Sequence, residues 1–326
     1  MKEKVTVVIP NYNGKEYIEV CLNSIKKQTF KDYKVLIIDN ASKDGSCEII
    51  RDNYKEFELV VNNRNEGFCR AVNQGIEMSD TEYVLLLNND TELHEQFLEN
   101  MVKEIEKSDK IFSVSSKMIN YYDRSVMDDA GDGYTVLGWQ YQRGISQSVD
   151  NYTKSADVFS SCAGAALYRK SVFEKIGLFD EMYFAYMEDI DIGYRARIYG
   201  YRNVYCPGAK VYHIGSATTG SKYNEFKVKM AARNNLYVIY KNMPVVQFII
   251  NFPFIVTGIA VKYFFFKKIN FGKYYLKGLK EGLDNLYKLK RVQYDSANFN
   301  NYVKIETDLI KGTVEYLSDY KKRHQS

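Results

Sequence analysis

The sequence predicts an α/β fold followed by a helical extension. Nearly unbroken Val/Ile/Leu runs recur at 5–9, 35–38, 59–61 and 83–87, helical patterns with an apolar face lie between them, and from about residue 222 the pattern turns helical and rich in lysine. Unbroken apolar runs are what strands buried on both faces require. Strands alternating with helices imply right-handed crossovers and a parallel sheet.

The first helix sets Ile18, Leu22 and Ile25 at core spacing, the second opens at Asp44-Gly45-Ser46, and the third places Phe68, Val72 and Ile76 four apart. Ligands of such sheets bind beyond the carboxyl ends of the strands. Those ends are polar here: Pro10-Asn11-Tyr12-Asn13-Gly14 after the first run, Asp39-Asn40-Ala41-Ser42 after the second and Asn88-Asn89-Asp90 after the fourth. No GxGxxG follows a strand and no GxxxxGK[ST] occurs, so neither a dinucleotide turn nor a P-loop holds phosphates. The stretch 120–157 reads as irregular, is rich in Gly, Asp and Tyr, and holds the one tryptophan, Trp139. A loop of that length is expected to cover a site. An apolar run at 158–168, a helix beginning near Glu188 with Ile190, Tyr194 and Ile198 on one face, and two short strands around His213 are expected to close the domain.

A chain of 326 residues holds one large α/β domain with an appendage or two domains of ordinary size. We place an α/β domain at 1–221 and a helical, basic region at 222–326. With 45% hydrophobic and 26% charged residues the chain is globular rather than disordered. Cys21, Cys47, Cys69, Cys162 and Cys206 form no CxxC pair and sit in or beside apolar runs, which reads as buried free thiols in a reducing compartment. The opening MKEKVTVVIP runs straight into a strand without a secretion signal. A cytoplasmic protein without a nucleic-acid partner is expected. The formal charge of +4 belongs to the tail: from Lys262 to Arg291, eight Lys and one Arg face only Glu281 and Asp284.

Within the tail, 245–261 carries no ionisable side chain, but Gln247, Asn251 and Pro253 interrupt it, and its length is at the short limit for a membrane span. A helix lying in the plane of an anionic bilayer is preferred over a spanning one, with Tyr263, Phe264, Phe265, Phe266 and the lysines as its interfacial end. A buried helix packed on the main domain is the alternative.

Three constellations carry chemistry. Asp90 ends a buried strand in LLLNND, where a carboxylate either holds a hard divalent cation or merely caps a turn. Glu188, Asp189 and Asp191 crowd the start of a helix, where three acids also favour the helix dipole. Spacing separates them: Asp191 meets Arg195 one turn on, whereas Asp189 faces Gly193 and gains no cation. His213 ends a strand in AKVYHIG; alone it reads as structural, and beside Asp90 as a metal ligand.

At these residues the sequence resembles the family 2 glycosyltransferases, in particular their rhamnosyltransferase-like bacterial branch. The matching segments are VTVVIPNYNGKEYIEVCLNSIKKQTF, VLIIDNASKDGS, NRNEGFCRAVNQGIE, YVLLLNNDTEL, GAALYRKSVFEKIGLFDEMYFAYMEDIDIGYRARIYGY and AKVYHIGSATTG, in family order. The resemblance implies the GT-A fold, a Rossmann-like domain for nucleotide-diphospho-sugars. It makes Asp39 the acid that reads the base, with Pro10, Asn11, Tyr12 and Asn13 alongside, Asn65, Gly67 and Phe68 closing the pocket, and Gly164 among the donor-binding positions. Asn88-Asn89-Asp90 stands for the family's DxD motif with its first Asp replaced by Asn, and an amide contributes less to a cation than a carboxylate does. Asp90 and His213 would contact Mn2+ or Mg2+, and Asp189 would be the catalytic base with Glu188 and Asp191 as supporting acids. The implied activity is inverting transfer from a nucleoside-diphosphate sugar, dTDP-rhamnose or a UDP-sugar, to a glycan or lipid-linked glycan acceptor. That reaction serves cell-surface polysaccharide assembly on the inner face of the membrane. A sugar nucleotidyltransferase would want a GxGTR-like segment where this chain has PNYNG. A catalytically silent nucleotide-sugar-binding scaffold is disfavoured by the intact Asp90, Asp189 and His213.

Overall fold

The four apolar runs form the parallel half of one sheet in the computed structural model, which describes residues 3–215 and 223–325, with side chains to residue 320. The boundary drawn between 221 and 222, and residues 216–220 of the sixth matching segment, lie outside the described residues. Strands β1 (Val5–Asn11), β2 (Tyr33–Asp39), β3 (Glu58–Val61) and β4 (Tyr83–Leu87) run parallel in the spatial order β3-β2-β1-β4. Helices α1 (Ile18–Lys26), α2 (Ser46–Asn53) and α3 (Phe68–Met78) connect them. Alternate residues of β1 feed opposite faces, Val7 and Ile9 toward Leu22 and Ile25, Val8 toward Val72 and Ile76. Helix α3 approaches so closely that a Cβ on Gly75 would lie 2.2 Å from Val8 Cγ1.

Beyond β4 the sheet is mixed, which corrects the expectation of a parallel one. The chain continues through β5 (Thr91–Leu93), α4 (Phe97–Ile105), β6 (Ile111–Asn120), β7 (Met127–Asp129), β8 (Asp132–Tyr134), β9 (Gln140–Gln142), β10 (Ala156–Val158), β11 (Ala165–Arg169), α5 (Lys170–Ile176), α6 (Glu188–Ile198) and β12 (Arg202–His213). Ala165 pairs with Leu87, so β11 enters where β4 leaves and runs back antiparallel to both β4 and β6. The run at 158–168 is therefore divided between β10 and β11. The two short strands expected around His213 are one strand, β12, whose register shifts between Tyr205 and Lys210 around Pro207, a residue without an N–H for the ladder. The stretch 120–157 is less irregular than its composition suggests: β7 extends the sheet, and β8 and β9 form a hairpin.

Helices α7 (Glu225–Asn242), α8 (Val245–Lys268), α9 (Gly272–Asn285) and α10 (Phe299–Gln325) complete the chain. Helix α8 is inside-out. Its buried positions are Gln247, Asn251, Ile255 and Gly258, whereas Val246, Ile249 and Phe264 are 70%, 64% and 64% exposed. The inward face is tied down by polar contacts: Tyr194 Oη donates to Gln247 Oε1 at 2.7 Å, Gln247 and Asn251 donate to Glu306 at 2.9 and 2.8 Å, and Trp139 Nε1 donates to Gly258 O at 3.1 Å. The helix is thus packed on the domain, as the alternative reading had it, but by its polar stripe, with its apolar faces turned outward.

The β1–α3 contact holds two of the strand ends that carry polar residues. Gly75→Val is expected to lower the unfolding free energy by roughly 1–3 kcal/mol through overpacking against Val8, as a reduced midpoint in urea denaturation; an unchanged midpoint would contradict the close approach.

Candidate active site

The carboxyl ends of β1, β2 and β4 meet in a network of amides and hydroxyls around one acid. Asn11 donates from Nδ2 to Asp39 Oδ2 at 2.7 Å and to Ser46 Oγ at 3.0 Å, and its Oδ1 accepts from Asn89 Nδ2 at 2.7 Å. Asp39 is fully buried and also accepts from Ser42 N–H at 2.9 Å and Ser42 Oγ at 2.6 Å. Both of its oxygens are engaged, but Oδ1 accepts from Ser42 N–H alone among the described residues and can take a second donor. Gly14 permits the crossing, since a Cβ there would lie 2.1 Å from Asn89 Nδ2. Asn13 takes a positive φ of 52°, donates its N–H to Ser42 Oγ at 2.9 Å and accepts from Lys43 N–H at 2.9 Å. Pro10 stays in register with Ile38, and Tyr12 exposes its ring.

A second turn joins this rim to the segment before α6. Asn65 Oδ1 accepts from Gly67 N–H at 2.9 Å, and Asn40 donates to Gly67 O at 3.1 Å. Gly67 has φ 87°, and a Cβ there would lie 2.5 Å from the Phe184 ring. The Phe68 N–H donates to Phe184 O at 2.8 Å.

The end of β4 reaches both remaining sets of candidates. Asn88 N–H donates to Gly164 O at 2.8 Å, and the neighbouring Ala163 N–H donates to Asp189 Oδ1 at 3.1 Å. Two residues on, Asp90 Oδ2 lies 3.5 Å from His213 Nε2. Asp90, Asp189 and His213 are thereby connected along one rim through the stretch 88–90 and residues 163–164. Nδ1 of His213 lies 2.5 Å from Asp128 Oδ2. Burial works against a charged imidazole, but hydrogen bonds to Asp128 and Asp90 outweigh it and lift His213 to about 10.

These residues fit a divalent cation in part. Asp90 Oδ1 is buried with no hydrogen-bond partner among the described residues, an oxygen free to accept a cation. Without a cation Asp90 and Asp128 hold His213 protonated, so a metal would have to displace the Nε2 proton; Asp128 on Nδ1 is then the kind of outer carboxylate that orients a ligating imidazole. Among the described residues no three His, Cys, Asp or Glu side chains form a ready cage, so the remaining positions would come from phosphate and water.

Asp189 occupies the first turn of α6 and is partly exposed. Burial by the surrounding protein is the largest influence raising its carboxyl, Glu188 and Asp129 add to it, and the Ala163 N–H opposes it. Burial likewise pushes Glu188 up to about 7, with Asp132 and Asp191 reinforcing it. Asp132 rises to about 8 through burial and Asp189, with Gln140 opposing. Asp128, Asp129 and Asp132 were missed in the sequence; their only signal was the acid-rich MDDAGDG inside the stretch expected to cover a site. Asp191, expected to support Asp189, stands apart from the rim. It is fully buried, and Arg195 at 2.7 Å, Lys241 at 3.1 Å and Asn242 at 2.8 Å hold it. Burial alone would raise it, yet Arg195 and Lys241 bring it down to about 2. Its pairing with Arg195 is the one the spacing predicted.

Residues 6–177 match the sequence family described as Glycosyl transferase family 2. Among characterised proteins, the chain is 31% identical over 180 residues to glycosyltransferase AglE of Haloferax volcanii, covering 54% of this chain and 55% of that protein. It is 27% identical over 243 residues to the N-acetylglucosaminyl-diphospho-decaprenol L-rhamnosyltransferase of Mycobacterium tuberculosis, covering 68% and 79%. The chain therefore spans only about half the length of the first of these relatives. Among solved structures it is similar to GalNAc-T7 with UDP, GalNAc and Mn2+, at TM-score 0.60 and 16% identity, covering 73% of this chain and 47% of that one. It is also similar to the mannosyltransferase PcManGT from Pyrobaculum calidifontis in complex with GDP-Man and Mn2+, at TM-score 0.55 and 15% identity, covering 87% and 88%. These similarities identify the GT-A fold, with a Rossmann-like core and a helical C-terminal region.

The crowded acids set a pH dependence. A carboxyl held above its ordinary value keeps a proton that the unfolded chain has already released, so it lowers stability as pH rises from the unfolded value toward the folded one. For Asp132 that window runs from about 4 to about 8. Asp132→Asn, which can still accept from Gln140, is expected to raise the melting temperature at pH 8 relative to the parent, with the gap closing toward pH 4. Melts that shift equally at both pH values would remove Asp132 from the crowded set.

Proposed function

The chain belongs to glycosyl transferase family 2, and on that premise we propose that it transfers a sugar from a nucleoside diphosphate to an acceptor hydroxyl with inversion at the anomeric carbon. The observation that carries the reading is the continuous rim from Asp39 through Asn11 and Asn89 to Asp90 and His213, and through Asn88, Gly164 and Ala163 to Asp189. On this reading the Asp39 end of the rim would take the nucleotide, Asp90 and His213 a cation, and Asp189, a carboxyl of raised proton affinity, the acceptor proton.

The division of labour follows from the chemistry. A nucleoside diphosphate leaves readily only if its developing charge is met. A divalent cation, Mn2+ or Mg2+, would supply that stabilisation, held by Asp90 and His213 with Asp128 orienting the imidazole. The acceptor hydroxyl is a weak nucleophile until a base removes its proton as the new bond forms. Asp189 takes that part, since a raised carboxyl brings its basicity nearer the working pH. Attack by the hydroxyl oxygen on the anomeric carbon breaks the bond to the phosphate oxygen in the same displacement, and the proton passes to Asp189. No covalent enzyme intermediate is needed.

We place the donor among dTDP-rhamnose and UDP-sugars and the acceptor among glycans or lipid-linked glycans of cell-surface polysaccharide. The rhamnosyltransferase relative, whose name specifies a decaprenol-linked acceptor, supports that choice. A cytoplasmic enzyme peripheral on the inner face of the membrane fits the outward apolar faces of α8 and the lysines near its end. Helix α8 is long and apolar enough to cross a bilayer. Its bonds to Tyr194, Glu306 and Trp139 favour a position in the membrane plane, because insertion across the bilayer would strip them.

Asp189→Asn is expected to abolish transfer, read as nucleotide released from the donor, while leaving nucleotide binding intact, and Asp90→Ala to lose the Mn2+-dependent part of UDP or dTDP affinity; binding is read by thermal shift with and without Mn2+. An Asp189→Asn enzyme turning over at the parent rate would overturn the base assignment. Co-sedimentation with vesicles of anionic phospholipid should exceed that with neutral vesicles and fall as salt rises; equal binding to both counts against the membrane reading.

A further inference from the structure

The backbone that delivers Asp189 is strained, and the residue that holds it comes from the helical tail. Phe184 has φ 62° and ψ −58°, and Ala185 N–H donates back to Tyr183 O at 2.7 Å, a γ-turn of the rare, strained hand. Tyr186 and Met187 follow with φ 71° and 70°, so three bulky non-glycine residues within four positions have positive φ. Backbone of this kind persists only where its surroundings over-determine it.

Asn234 of α7 supplies the determination. It is fully buried, and its Nδ2 lies 3.0 Å from Tyr183 O, 2.9 Å from Ala185 O and 2.7 Å from Tyr186 O. Arg233 beside it donates from Nη2 to Met182 O at 3.0 Å and Tyr183 O at 2.9 Å, and from Nε to Asn234 Oδ1 at 2.9 Å, which fixes the orientation of the amide. An asparagine offers two N–H groups and one acceptor from a single planar end, so the three carbonyls share two donors while Oδ1 takes the Arg233 Nε–H. On its other side the turn gives Phe184 O to the N–H groups of Phe68 and Cys69 at 2.8 and 3.2 Å, the opening of α3. The turn therefore caps a helix of the donor rim with one carbonyl and, four residues later, starts α6 with Glu188 and Asp189.

We propose that Asn234 is a positioning residue for the transfer: by gathering the carbonyls of 183, 185 and 186, it sets where Asp189 stands relative to a donor seated against 65–68. This rests on the reading of Asp189 as the base. Helix α7 is then part of the catalytic apparatus, and α9 braces it through the ion pair of Arg233 with Glu281 at 3.2 Å.

The test combines a readout that needs no substrate with one that does. In Asn234→Ala, backbone amides of 184–189 should exchange hydrogen at least about tenfold faster than in the parent, while the β1 and β4 amides exchange as before. The kcat for nucleotide release from dTDP-rhamnose or UDP-galactose, whichever the parent turns over, should fall about a hundredfold, with the dissociation constant for the matching nucleotide within about twofold. Asn234→Ser, smaller and still carrying one donor, should lie between parent and Ala in both readouts and serves if the Ala protein does not fold. Unchanged exchange at 184–189, an unchanged kcat, or a nucleotide affinity that falls in step with kcat would each overturn the proposal. Asp189→Asn, run in parallel, separates the two readings: an active Asp189→Asn removes the base, whereas an inactive one beside a fully active Asn234→Ala removes only the clamp.

Discussion

Gathering carboxyls at one end of a sheet, most of them shielded from bulk water, is the constraint around which this protein is built. Asp90, Asp128, Asp129, Asp132, Glu188 and Asp189 share that end, and burial raises several of them well above ordinary carboxylates. Such a cluster is costly unless protons, an imidazolium or a bound cation divide the charge. The same cost makes it useful, since groups that resist ionisation are ready to take a proton or a cation from a ligand that brings one. The neighbouring strand ends avoid adding to the burden: around Asp39, the interactions run through Asn11, Asn89, Ser42 and Ser46 rather than through further charges.

Where an ionised carboxylate is required for structure, it is treated differently. Asp191 is one residue from Ile190 and two from Asp189, yet it is turned into a nest of Arg195, Lys241 and Asn242 that keeps it ionised. Two acids on one helical turn thus serve opposite ends, one locking α6 to α7 and the other accepting from Ala163 N–H at the rim. The difference is set by which cations the fold brings near each of them.

Much of this was legible in the sequence. The runs at 5–9, 35–38 and 83–87 read as buried strands and are buried, and their polar ends marked the rim; the run at 59–61 reads the same way but forms the edge strand β3, only partly covered, with Val61 42% exposed. The i,i+4 spacing of Asp191 and Arg195 separated the paired acid from Asp189 before any coordinates. Strand β6 was not legible: Ser113, Ser115, Ser116 and Lys117 break its apolar pattern, although all four are buried, with Lys117 donating to Val149 O at 2.5 Å. Asp128, Asp129 and Asp132 escaped notice because residues in short strands and turns carry no periodicity to mark them as inward. Composition identified 245–261 as an apolar helix but not which side it presents, since Gln247 and Asn251 looked like interruptions when they are the points of attachment.

That attachment also bears on how the chain can be watched. Its sole indole, Trp139, sits at the joint, its N–H on the Gly258 carbonyl and its ring 5.5 Å from that of Tyr316. As the one tryptophan in the sequence, with Tyr316 packed against it, Trp139 reports from a single seam between core and tail. Any event that loosens α8 from the hairpin beneath it will register in the colour of the indole's emission, without a label and without knowledge of the sugar.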